Sequence, residues 1–92
     1  MKIIAVCGMG IGTSVLLKMN IDQALEALGE TGEVEAADIS SARGAAAGAD
    51  LVMTSAELAP QLGDIDTPIV VVDNFVDADE VREKLAEALD LA

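Results

Sequence analysis

The sequence predicts a three-layer α/β fold, a four-stranded parallel sheet with helices on both faces. Three observations carry this. Short apolar, β-branched runs recur at residues 3–6, 51–54 and 69–72, the signature of strands buried on both sides. Stretches with helical spacing separate them, so each connection is a crossover rather than a hairpin. Polar residues gather where each run ends, at Cys7, Asp38, Thr54-Ser55 and Asp73-Asn74, which is the end of a parallel sheet where ligands bind.

In chain order, Ile3 to Val6 reads as a buried strand that delivers Cys7 into a loop with glycine at positions 8, 10 and 12. Thr13 and Ser14 then open a helix. Leu17, Ile21, Ala24, Leu25 and Leu28 form its single apolar stripe, and Gly29 stands as the residue that ends it. Residues 33–38 alternate acidic and small apolar side chains, as a half-exposed edge strand does. Ser40 and Ser41 are placed to cap a short helix through Ala45 to Ala47, ending near Gly48. Leu51 to Thr54 is a second buried strand. A helical turn over 56–62 is limited by Pro60. Pro68 introduces Ile69 to Val72, the most continuous β-branched run and a third core strand. Asp77 with Glu80 matches a capping box, and Val81, Leu85, Ala88 and Leu89 give the last helix its stripe.

Residues 1–92 suit one small domain, and 52% hydrophobic content is enough for a modest core. Seventeen acidic against five basic residues give a net charge of −12, with no basic cluster, which argues against nucleic acid or an anionic membrane as partner. A phosphate must then be held locally, by backbone dipoles. The single cysteine forms no internal disulfide, which fits a reducing cytoplasm. The first apolar run is too short for a secretory signal, and no stretch approaches the ~18 apolar residues of a membrane span. Histidine is absent altogether, so Cys–His catalysis, histidine metal sites and a phosphohistidine are excluded. Without Trp or Tyr, and with Phe75 alone as an aromatic, a flavin or nucleotide base lacks its stacking platform. No cofactor and no metal are expected.

Residues 2–14 are the centre of the chain. A strand, a glycine loop and a helix start converge backbone N–H groups on one spot, which favours an anion, and Cys7 stands at its mouth. A free cysteine at a strand end is often no more than a small hydrophobe. Here the helix start lowers the thiol pKa from about 8.5 toward neutrality, though its dipole supplies only ~1–2 kcal/mol, so loop amides must add to it. Cys7 is therefore read as carrying or attacking a phosphoryl group. Other glycine loops fail on spacing: Thr13 stands where G-x-G-x-x-G needs its third glycine, and no lysine completes a nucleotide P-loop. The string Cys7, five residues, Thr13, Ser14 shares its spacing with the Cys-x5-Arg-Ser/Thr loop of low-molecular-weight cysteine phosphatases. The essential arginine is Thr13 here, and Asp73 is a weak candidate for the general acid. A non-catalytic anion-binding module is the remaining alternative.

The segment Cys-Gly-Met-Gly-Ile-Gly-Thr-Ser-Val-Leu-Leu-Lys-Met-Asn-Ile, residues 7–21, resembles enzyme IIB (EIIB) of the bacterial phosphotransferase system (PTS) for sugar uptake. It is most similar to the ascorbate (L-ascorbate/pentitol) branch, then to the galactitol type, with the lactose/cellobiose type further away. The resemblance implies a flavodoxin-like domain in which Cys7 takes phosphate from a phosphohistidine on EIIA and passes it to a sugar bound by membrane-embedded EIIC. It further implies that the amides of Gly8, Met9, Gly10, Ile11, Gly12, Thr13 and Ser14 bind the phosphate. Met9, Ile11, Val15, Leu16 and Met19 are candidates for an apolar docking rim, against the alternative that several pack beneath loops. Arg43 is expected as a solvated loop residue rather than a phosphate ligand, and Lys18 faces solvent or an acidic partner.

Overall fold

A computed structural model of the chain describes residues 1–7, 11–63, 65–75 and 77–89, with the backbone alone for Cys7 and residues 11–14. Four strands, β1 (Lys2–Cys7), β2 (Glu33–Asp38), β3 (Leu51–Thr54) and β4 (Ile69–Val71), alternate with helices α1 (Ile11–Ala27), α2 (Ile39–Ala46) and α3 (Ala78–Ala88). A 3-10 turn, Ala59–Leu62, lies between β3 and β4. All strand pairs are parallel and the order is β2-β1-β3-β4. The predicted architecture stands.

β1 shows why the sheet needs two covering layers. Ile3, Ile4, Ala5 and Val6 are all fully buried, and strand alternation sends them to opposite faces. Ile3 and Ala5 join Leu17, Ile21, Ala24 and Leu25 of α1 and Val81 and Leu85 of α3. Ile4 and Val6 join Ala42 and Ala46 of α2 and Leu62 of the 3-10 turn. Each fully buried Leu or Ile contributes about 1.5–3 kcal/mol relative to exposure. Gly29 ends α1 at φ 73°, and the closing bonds, Gly29 N–H to the Glu26 carbonyl at 3.2 Å and Glu30 N–H to Leu25 at 2.9 Å, form a Schellman motif.

Several expectations are corrected. α1 begins at Ile11, so Thr13 and Ser14 lie inside its first turn rather than opening it. α2 is capped by Asp38, one residue before the helix, and not by Ser40 or Ser41. β4 is an edge strand, and Ile69, Val70 and Val71 are only half-buried. A continuous β-branched run looks the same at the edge of a sheet as at its centre. Asp77 caps α3 as predicted, but Glu80 does not return to it. Its carboxylate instead accepts from the N–H groups of Asp73 at 2.7 Å and Asn74 at 2.9 Å. Ala88, expected in the buried stripe, is exposed.

Candidate functional site

β1 passes through the middle of the sheet and ends at Cys7, whose Cα is in register with Asp38 of β2. From β1 the chain crosses to β2 on one side, then back over β1 to β3 on the other. That reversal puts the switch point between β1 and β3, where the connections leave in opposite directions and open a crevice. Cys7 stands at its rim. α1 starts only four positions later, at Ile11.

The first four N–H groups of an α-helix have no partner within it. Among the described residues of α1 these belong to Ile11, Gly12 and Thr13, three of the residues named from the sequence. The first turn of α1 carries no acidic residue, and the chain has none before Asp22. The helix start next to Cys7 therefore combines unpaired N–H groups with a first turn free of acidic residues, an arrangement that suits an incoming anion. Gly8, Met9 and Gly10, and the side chains of Cys7 and residues 11–14, lie outside the described residues.

The other strand ends are already engaged. Asp38 Oδ1 accepts from Ser41 N–H at 2.9 Å and from the hydroxyls of Ser40 and Ser41, each at 2.8 Å. The Ser41 hydroxyl first, then that of Ser40 and the Ser41 amide, holds its pKa below the ordinary carboxylate value. Thr54 is fully buried, and its hydroxyl donates to the Val6 carbonyl at 3.0 Å, so it is not presented to a ligand. Ser55 Oγ accepts a long bond, 3.4 Å, from Leu58 N–H. Asp73 is exposed, with its own amide tied to Glu80.

Arg43 is exposed as expected, but it sits in the last turn of α2 rather than in a loop. Its guanidinium lies over Gly63, 3.6 Å from where a Cβ there would stand, and it lines a recess with Ile65, Asp66 and Thr67. That segment leads into the start of β4, at the opposite end of the sheet from Cys7. Lys18 pairs with Asp22 of its own helix at 3.0 Å.

Val15, Leu16 and Met19 are 42, 46 and 49% exposed, one turn beyond the start of α1. Beside them Asn20 Nδ2 donates to the Phe75 carbonyl at 2.6 Å, tying α1 to the segment after β4. The sequence pattern missed this bond, because an asparagine at mid-helix gives no local signal of a partner 55 residues away. Among the described residues no helix is long and apolar enough to cross a membrane.

Comparison with known proteins bears on this arrangement. A family model described as the lactose/cellobiose-specific IIB subunit of the PTS system matches residues 2–87. A protein of Mycoplasma pneumoniae named as an ascorbate-specific PTS system EIIB component is 33% identical over 90 residues, covering 97% of this chain and 95% of that one. A Salmonella choleraesuis protein of the same name is 29% identical over 89 residues, covering 96% and 88%. Among solved structures, the lactose-specific IIB component domain of Streptococcus pneumoniae aligns with a TM-score of 0.64 at 15% identity, over 98% of this chain and 91% of that one. At that identity it speaks for the fold.

Proposed function

The chain belongs to the IIB family of the sugar phosphotransferase system, and from that premise we propose that Cys7 is the residue that carries the phosphoryl group. The thiolate attacks the phosphorus of a phosphohistidine on EIIA. An S–P bond forms as the N–P bond breaks, and the imidazole nitrogen leaves with the electron pair. In the second transfer a hydroxyl oxygen of the sugar held by EIIC attacks the same phosphorus, and an O–P bond forms as the S–P bond breaks. Cys7 departs as thiolate, and the hydroxyl proton passes to a base beside the sugar or to water. No cofactor enters either step.

The observation that carries this proposal is the acid-free start of α1 directly after the cysteine. Amides of Gly8 to Ser14, with the hydroxyls of Thr13 and Ser14, are assigned to hold the phosphate oxygens. Such a nest stabilises both the thiolate and the dianion that replaces it. The absence of histidine fits a chain that receives phosphate from a histidine supplied by a partner. Val15, Leu16 and Met19, exposed beside the site, are assigned as the apolar contact for EIIA and EIIC in the cytoplasm. The names of the relatives make ascorbate the first substrate to test.

Hydrolysis by a phosphatase-like mechanism is not favoured. The position for its arginine is Thr13, and Arg43 is turned toward Gly63 instead.

The test is the Cys7→Ser variant. Its far-UV circular dichroism is expected to match the wild type, while intact-mass measurement detects no phosphoryl adduct after incubation with phospho-EIIA. Wild-type labelling of the variant would overturn the assignment.

A further inference from the structure

Thr54 is the one polar side chain fully buried among the described residues, and it ends β3, the strand beside β1. The ladder between β1 and β3 pairs Ile3 with Leu51, Ile4 with Val52 and Ala5 with Met53, and ends there. On the other side of β1 the ladder runs on to Cys7. Thr54 remains in register with Val71 of β4, and its carbonyl accepts from Val72 N–H at 2.8 Å. Its main chain thus serves β4 while its hydroxyl reaches the other way, to the Val6 carbonyl at 3.0 Å.

A side-chain donor here replaces the next rung of the sheet. β3 is free to turn away at Ser55, and the crevice opens without leaving a buried carbonyl unpaired. The Val6 oxygen and the Cys7 N–H belong to one rigid peptide plane. Holding the oxygen therefore fixes the plane from which Cys7 leaves the sheet. Valine is isosteric with threonine apart from the hydroxyl, so it would fill the space and leave that oxygen without its donor.

We propose that Thr54 is a positioning residue for phosphoryl transfer, its hydroxyl setting the peptide plane from which Cys7 meets the phosphorus. This rests on Cys7 being the acceptor. In-line transfer is sensitive to displacements well under an ångström, so the effect falls on the rate of transfer rather than on partner binding.

The experiment compares wild type, Thr54→Val and Thr54→Ser in two measurements. One is phosphoryl uptake over a range of phospho-EIIA concentrations. The other is the pH profile of iodoacetamide alkylation, which reports on Cys7 alone because the chain has a single cysteine. Thr54→Val is expected to lower the maximal uptake rate roughly 10- to 100-fold at unchanged half-saturation and to displace the alkylation midpoint. Thr54→Ser, which keeps the donor, is expected to restore both. Should Thr54→Val not fold, Thr54→Ala is measured in its place with the same expectation. Wild-type rates and an unchanged alkylation midpoint in the valine or alanine variant overturn the proposal. So does a folded serine variant as impaired as valine, since the methyl group rather than the hydroxyl would then matter. If the wild-type chain accepts no phosphoryl group, it is the assignment of Cys7 that falls.

Discussion

The three α-helices among the described residues begin in two different ways. α2 and α3 each receive a carboxylate from their own chain. Asp38 accepts from the Ser41 amide, and Asp77 accepts from the amides of Asp79 at 3.1 Å and Glu80 at 3.2 Å. α1 carries no acidic residue in its first turn, and the sequence holds none before Asp22. Where a helix start serves only the fold, the chain closes it with an internal anion. At the start that follows Cys7, the proposed function assigns that place to an anion from outside.

That contrast is broken most severely by giving α1 the acid it lacks. Thr13→Asp, at the third position of the helix, is expected to reduce phosphoryl uptake about tenfold or more and to move the alkylation midpoint of Cys7 to higher pH. The same change leaves the thermal midpoint undiminished or slightly raised, because an acid in a first turn stabilises a helix. Uptake at the wild-type rate would show that the start of α1 is not the anion site. The converse change removes the acid where the fold uses it. Asp77→Ala is expected to cost about 1 kcal/mol in urea unfolding, with phosphoryl uptake unaltered.

The smallest effect lies at Asp38, which is solvent-exposed and screened. Its pKa is lowered in the fold, so its contribution to stability is present above the ordinary carboxylate value of about 3.9 and is lost as pH falls through the depressed one. Urea midpoints followed from neutral pH to about pH 3 should fall further for wild type than for Asp38→Asn. Parallel curves would remove Asp38 from the acid response.

These caps also mark how far the sequence was legible. Strand β3 was read to its ends, Leu51 to Thr54, because an apolar run bounded by polar residues is a local signal. Gly29 ended α1 for a similar reason: only glycine enters the left-handed region freely. Asp38 was instead counted as the end of a strand. Ser40 and Ser41, good capping residues in their own right, turn out to donate to it. Glu80 matched the capping box in spacing but found two amides after β4, a choice made by tertiary packing. The edge position of β4 was hidden for the same reason, since strand order is not written in any one strand. At the site, the motif from Cys7 to Ser14 was visible as residue types. The Thr54 bond to Val6 was not, because a threonine ending a strand looks equally suited to facing a ligand.

The order of the sheet also bears on how the chain is made. Lys2 meets Glu33 and Ile3 meets Leu51, so β1 is synthesised before both of its neighbours and gains the second only once Leu51 has appeared. Its greasy tetrapeptide, Ile3 to Val6, must wait without a hairpin to shelter it, and distant pairings of this kind close slowly. The strand that leads to Cys7 is thus the one most open to wrong association during biogenesis.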